Sequence, residues 1–151
     1  MRKASYIASI VIGVALIIGG LGTWITVSST LSDENITVSE DSSCLAGDHV
    51  DGPFSAYCEA TTIKKHALEA TGGLTYAELG REDPLREVAA TASYLRASLF
   101  TSVVAFGVAG MAMLIGVLFV LIGFGIKDVD DRMRSVYGAA TAADSVADPV
   151  A

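Results

Sequence analysis

Two histidines, two cysteines and a pair of adjacent lysines are the side chains whose types and spacing allow chemistry in this chain. His49 and Asp51 stand two residues apart and His66 follows, which are the residue types of the facial triad that holds non-haem Fe(II). That triad needs a rigid scaffold and an outer ring of hydrogen bonds. Here the first pair sits beside the turn-forming run Asp51-Gly52-Pro53, and a chain rich in acids often sets a carboxylate near a histidine by chance. Ordinary surface histidines are the expectation, with the three residues kept as weak metal candidates. Lys64-Lys65 reads as a solvated helix face rather than a substrate clamp. The sequence has no phosphate-cradling glycine loop, no nucleophile elbow and no zinc-ligand spacing. No catalytic residue and no cofactor is therefore assigned.

Cys44 and Cys58 are the only cysteines, and thirteen residues separate them, with Asp51-Gly52-Pro53 near the middle. Neither has a second cysteine in a redox spacing, so a structural disulfide is expected, stapling the two arms of a hairpin-like loop. Such a bond requires an oxidising compartment. By the chain-entropy model it contributes on the order of 3 kcal/mol.

The elements that must carry these residues follow from two blocks without a charged side chain, Ala4 to Ser32 and Ala97 to Ile126. Each exceeds the roughly 20 apolar residues that a helix needs to cross a hydrocarbon core. Apolar residues make up 52% of the 151, and mean hydropathy is +0.52. The apolar run Tyr6 to Val27 is far longer than the core of a signal peptide and no Ala-x-Ala site follows it, so it reads as an uncleaved anchor. Trp24 falls where an indole suits the membrane interface. Arg2 and Lys3 before the first span, and Lys127, Arg132 and Arg134 after the second, favour a plasma-membrane hairpin with both termini cytoplasmic. Arg86 and Arg96 before the second span oppose that half of the signal. Neither span holds an ionisable residue, which argues against a pump or transporter built from this chain alone.

Between the spans, twelve acids stand against five bases from Asp33 to Arg96, and the whole chain carries −7. That balance argues against nucleic acid or anionic headgroups as partners of the segment. Basic ligands or divalent cations remain permitted, although a solvated acidic surface accounts for the charge. Residues 28–83 are expected to form a small extracytoplasmic domain, with short strands at Asn35–Ser39 and Pro53–Cys58. A helix is expected from Glu59 to Thr71, ended by Gly72-Gly73. Thr75 and Glu78 have the spacing of a capping box for a helical turn at Tyr76–Leu79. Asp83 and Pro84 then start a helix that runs unbroken to Ile126, about 43 residues and near 65 Å, with its membrane part at about 98–126. Residues 127–151 form a tail, expected to be disordered beyond about Gly138. The fold class is thus a mainly α membrane protein: a two-helix transmembrane hairpin, a small disulfide-stapled α+β domain and a long second helix.

In the second span Ser98, Ser102, Ala105, Ala109, Ala112 and Gly116 recur at alternating steps of four and three, and Gly123 continues the series. Such a face lets another backbone approach closely. The other face, with Leu99, Phe100, Val103, Val104, Phe106, Leu114 and Leu118, is expected to meet lipid. The first span offers two candidate partners, Ser9-Gly13-Leu16-Gly20-Thr23 and Ala8-Ile12-Ala15-Gly19-Gly22-Thr26. The seam packs on one of these or on another subunit.

Several runs resemble a group of small actinobacterial two-pass membrane proteins: Ile36-Thr37-Val38-Ser39, Gly52-Pro53-Phe54 with Ala56-Tyr57, His66-Ala67-Leu68 and Thr71-Gly72-Gly73. Thr75-Tyr76-Ala77-Glu78-Leu79, Asp83-Pro84-Leu85-Arg86 and the run from Leu95 to Ala109 extend the resemblance. It covers about Ile36 to Ile126. Members of that group often carry the label aromatic ring-opening dioxygenase, after the small subunit of a soluble extradiol enzyme. The resemblance implies a two-pass membrane protein and supplies no site residues; the iron of the soluble enzyme belongs to its large subunit. Two functions are carried forward. One is a non-enzymatic accessory or interaction subunit, partnered by the bilayer and by other membrane subunits or a second copy of itself. The other, from the label, is a component of a metal-dependent dioxygenase.

Overall fold

The computed structural model describes residues 2–147. It contains three helices, α1 (Arg2–Asp33), α2 (Pro53–Ala70) and α3 (Leu85–Ala147). α1 and α3 are long and apolar enough to cross a membrane, by length and composition. The chain divides into two compact units, one built from the parts of α1 up to Gly19 and of α3 from Ala112, the other from Gly20–Met111.

In the first unit the two helices meet at glycines. A methyl group on Gly13 would lie 2.6 Å from the Gly116 carbonyl oxygen, and one on Gly116 would lie 2.6 Å from the Gly13 carbonyl oxygen. Gly123 fits as tightly beneath Ile10 and the Tyr6 carbonyl. The Ser9 hydroxyl donates to the Phe119 carbonyl across the pair, at 2.7 Å. Backbone approach of this kind replaces the hydrophobic drive that helices lack when both are surrounded by apolar material.

In the second unit the last turns of α1 bond their hydroxyls back to the helix's own carbonyls, Ser29 and Thr30 to Thr26 and Ser32 to Ser28. Asn35, at φ +52°, then takes the left-handed conformation that stops a helix. The loop that follows folds back on itself. Val38 donates to Asp48, Val50 donates to Ile36, and Thr37 pairs with His49 in one antiparallel bridge. Among the described residues no strand forms, so the expected β component reduces to this bridge. Pro53–Cys58, expected as a strand, is instead the first turn and a half of α2. The reason is local. Pro53 has its φ preset for a first helical position, and the Ser55 hydroxyl accepts the Asp51 and Gly52 N–H groups at 3.3 and 3.2 Å. At the other end Gly72 and Gly73 have φ of +65° and +90°, and the Gly73 N–H reaches the Leu68 carbonyl at 2.6 Å, closing a Schellman motif.

Cys44 and Cys58 form the disulfide, which ties the loop to α2 rather than joining two strands. Around it lies the core: Val38, Val50, Ala56 and Ala60 from loop and α2, Leu31 from α1, and Leu99 and Phe106 from α3. The two α3 residues correct the expectation of a lipid-facing side, since Leu99 is 4% and Phe106 1% exposed. Trp24 packs edge-on against Phe106, with centroids 4.8 Å apart.

The segment before α3 is a turn, not a helix, at Tyr76–Leu79. Glu78 accepts the Thr75 N–H and hydroxyl at 2.8 and 2.7 Å, which also holds its carboxyl below the usual range. Asp83 caps α3 by accepting the Leu85 N–H at 2.9 Å, as its position before Pro84 requires. α3 is longer than expected. It continues past Ile126 to Ala147, including residues expected to be disordered, supported by i,i+4 pairs of Asp128 with Arg132 and Asp130 with Arg134. Residues 148–151 of that tail lie outside the described residues.

Candidate functional site

Within the second unit, the small residues of α3 are not all covered. Ala109 is buried and Ser102 and Ala105 are half-buried, while Ser98 is exposed. Ser98, Ser102 and Ala105 form one wall of an open groove of about 620 Å³. Thr26, Thr30 and Leu31 of α1 form the facing wall, and Glu59 and Ile63 of α2 close its top. The groove exists because those three α3 residues are short.

Most of its hydroxyls are engaged within the protein, and Ser98 and Glu34 add polar side chains to the lining. The hydroxyls of Thr26, Thr30, Thr101 and Ser102 donate to carbonyls one helical turn earlier, at 2.7 to 3.3 Å. Glu59 is buried, and its carboxylate accepts the Ser39 N–H at 2.8 Å and the Ser39 hydroxyl at 3.2 Å. This bond pins the loop onto α2. The groove therefore presents a largely apolar surface on which four hydroxyls are already satisfied.

The other residues singled out in the sequence lie elsewhere. In the first unit Gly13, Gly116 and Gly123 make the close helix contact, with Ala112 half-buried beside it. Gly20 of the second unit is buried. The α1 stripe with Ser9, Gly13 and Gly20 is the covered one, whereas Ala8, Ile12, Ala15, Gly19, Gly22 and Thr26 are exposed. His49, Asp51 and His66 do not gather into one group, and the contacts of the first two run through their backbone. His49 stands in the bridge with Thr37, and the Asp51 carbonyl accepts the Ser28 hydroxyl at 2.7 Å. His66 Nε2 lies 2.8 Å from Asp41 Oδ2, which also takes the Lys65 ammonium at 2.8 Å. Among the described residues no three His, Cys, Asp or Glu side chains gather as a metal would need.

Comparison with known protein families, curated proteins and solved structures found no match. The site is thus defined by its own geometry. Four residues that organise the domain escape reasoning from sequence: Ser28, Asp41, Glu59 and Arg86. Arg86 donates to the Tyr76 and Leu79 carbonyls at 3.2 and 2.6 Å and stacks on Tyr76. Glu59 leaves a faint signal, a lone acid on the apolar face of α2 between Ala56, Cys58 and Ala60. The partners of the others are 7 to 25 residues away, with no local pattern to announce them.

Proposed function

We propose that this chain is a non-enzymatic, two-pass membrane protein that presents a small disulfide-stapled extracytoplasmic domain and serves as an accessory subunit of a larger membrane assembly. The observation that carries the reading is the groove. Its α3 wall of Ser98, Ser102 and Ala105 is made of short side chains, which admit close approach of a further helix. The membrane setting is supported by the surface of the long helices. Only 11% of the most apolar window of α1 and 17% of that of α3 is buried, whereas the core helix of a soluble protein would be mostly covered. The basic residues at the outer span ends support cytoplasmic termini, with Arg86 and Arg96 opposing, and the membrane proposed is the plasma membrane. The disulfide accords with a domain held on the oxidising side.

Purification from native membranes in mild detergent, followed by mass spectrometry, tests the role. The wild-type chain is expected to bring down a reproducible companion, and Ser102→Trp, which fills the groove, to lose it. Repeated recovery of the chain alone would overturn the accessory reading.

A further inference from the structure

The exposed face of α2 changes character along its length. Phe54, Tyr57, Thr61 and Lys64 follow at steps of three and four, so they share one stripe of the helix. Phe54 is 78% exposed and Tyr57 53%, a large aromatic exposure for the start of a helix whose opposite face is core. Thr61 is one turn further on, and Lys64 stands about 15 Å beyond Phe54 at 1.5 Å per residue. The stripe passes from hydrocarbon through phenol and hydroxyl to ammonium.

The apolar end is held at a definite height. The Tyr57 ring meets the Phe100 ring edge-on at 6.0 Å, and Phe100 lies just inside the uncharged block that begins at Ala97. Immediately before α2, the Asp51 carbonyl is bonded to Ser28, just inside the end of the other uncharged block. Arg96, the last charge before Ala97, has its guanidinium 5.7 Å from the Phe100 ring. If both blocks lie in lipid, as proposed above, the first turn of α2 sits at the boundary of acyl chains and headgroups. Aromatic rings are favoured at that boundary, and basic side chains just beyond it.

We infer that this turn is a lipid anchor: Phe54, backed by Tyr57, inserts into the boundary of the leaflet nearest the domain and sets the domain's height on the bilayer. The partner is lipid rather than protein because the order of groups along the stripe follows the polarity profile of a membrane surface. The contact is aromatic and apolar, so zwitterionic headgroups suffice, in keeping with the acidic domain.

The test uses the full chain in phosphatidylcholine vesicles brominated either near the top of the acyl chains or near their ends. Trp24→Phe combined with Phe54→Trp leaves one tryptophan, since the native chain has one. Shallow bromines are expected to quench it roughly twofold more than deep ones, as suits an interfacial ring, and aqueous iodide to quench it weakly. Full iodide quenching with no response to either bromine would overturn the anchor. The native chain, reporting from Trp24, gauges the spanning reading separately. If bromines quench Trp24 but not the reporter at position 54, the anchor alone fails; if neither responds, the spanning reading fails as well. Should the Phe54 variant not fold, Trp24→Phe with Tyr57→Trp gives the same comparison.

Discussion

Asp41 is an exposed loop carboxylate that the Lys65 ammonium and the His66 ring share. The Lys65 ammonium and the His66 ring, both bonded to Oδ2, lower its pKa to about 2, and the same contact raises that of Lys65. A carboxyl whose folded pKa lies below its ordinary value of 3.8 stabilises the fold above that value. The contribution is lost as pH falls through the range between 3.8 and about 2. Asp41→Asn is therefore expected to flatten the acid side of the melting-temperature profile in that window, starting modestly below the wild type at neutral pH because the pair is exposed and converging with it as pH falls to about 2. Melting curves on the purified protein at stepped pH read this directly; an unchanged acid slope would refute it. The disulfide acts on the same loop. Cys44→Ser removes the staple and is expected to lower stability by about 2–5 kcal/mol, seen as a lower melting temperature and faster proteolysis between Asn35 and Gly52.

At the scale of elements, the helix contact of the first unit rests on two glycines for which the added methyl has no room. Gly13→Ala or Gly116→Ala places carbon against a facing backbone, so the helices must separate, at about 1–3 kcal/mol. Gly19→Ala is the matched control. Nothing lies within 4 Å of its added carbon, and alanine favours helix, so stability is expected to hold or rise. Equal melting temperatures for Gly13→Ala and Gly19→Ala in detergent would contradict the contact. The seam is legible in the sequence at Ala109, Gly116 and Gly123 because small residues at helical spacing have one physical use in an apolar block. Its outer half is not. Leu99 and Phe106 look like lipid-facing bulk, yet α2, the loop and Trp24 supply a core for them that no periodicity within α3 reveals. The strand expected at Pro53–Cys58 fails for a similar reason. Its short alternation carries less weight than Pro53 at a first helical position and the Ser55 hydroxyl at the turn before it.

For the molecule as a whole, the two long helices, the disulfide and the start of α3 at Asp83-Pro84 are legible in the amino-acid sequence, since each rests on local composition or spacing. The groove is not. It depends on where Ser98, Ser102 and Ala105 stand relative to Thr26 and Thr30, about 70 residues away, and on Glu59 closing its top. The His49, Asp51 and His66 pattern shows the converse. Residues of suitable type are present along the chain, but among the described residues no three such side chains gather. Everything proposed for this chain depends on lipid surrounding α1 and α3. Alkaline carbonate extraction of membranes holding the full chain tests that most directly. The intact polypeptide is expected to remain in the pellet with integral proteins; its release into the supernatant would contradict the account.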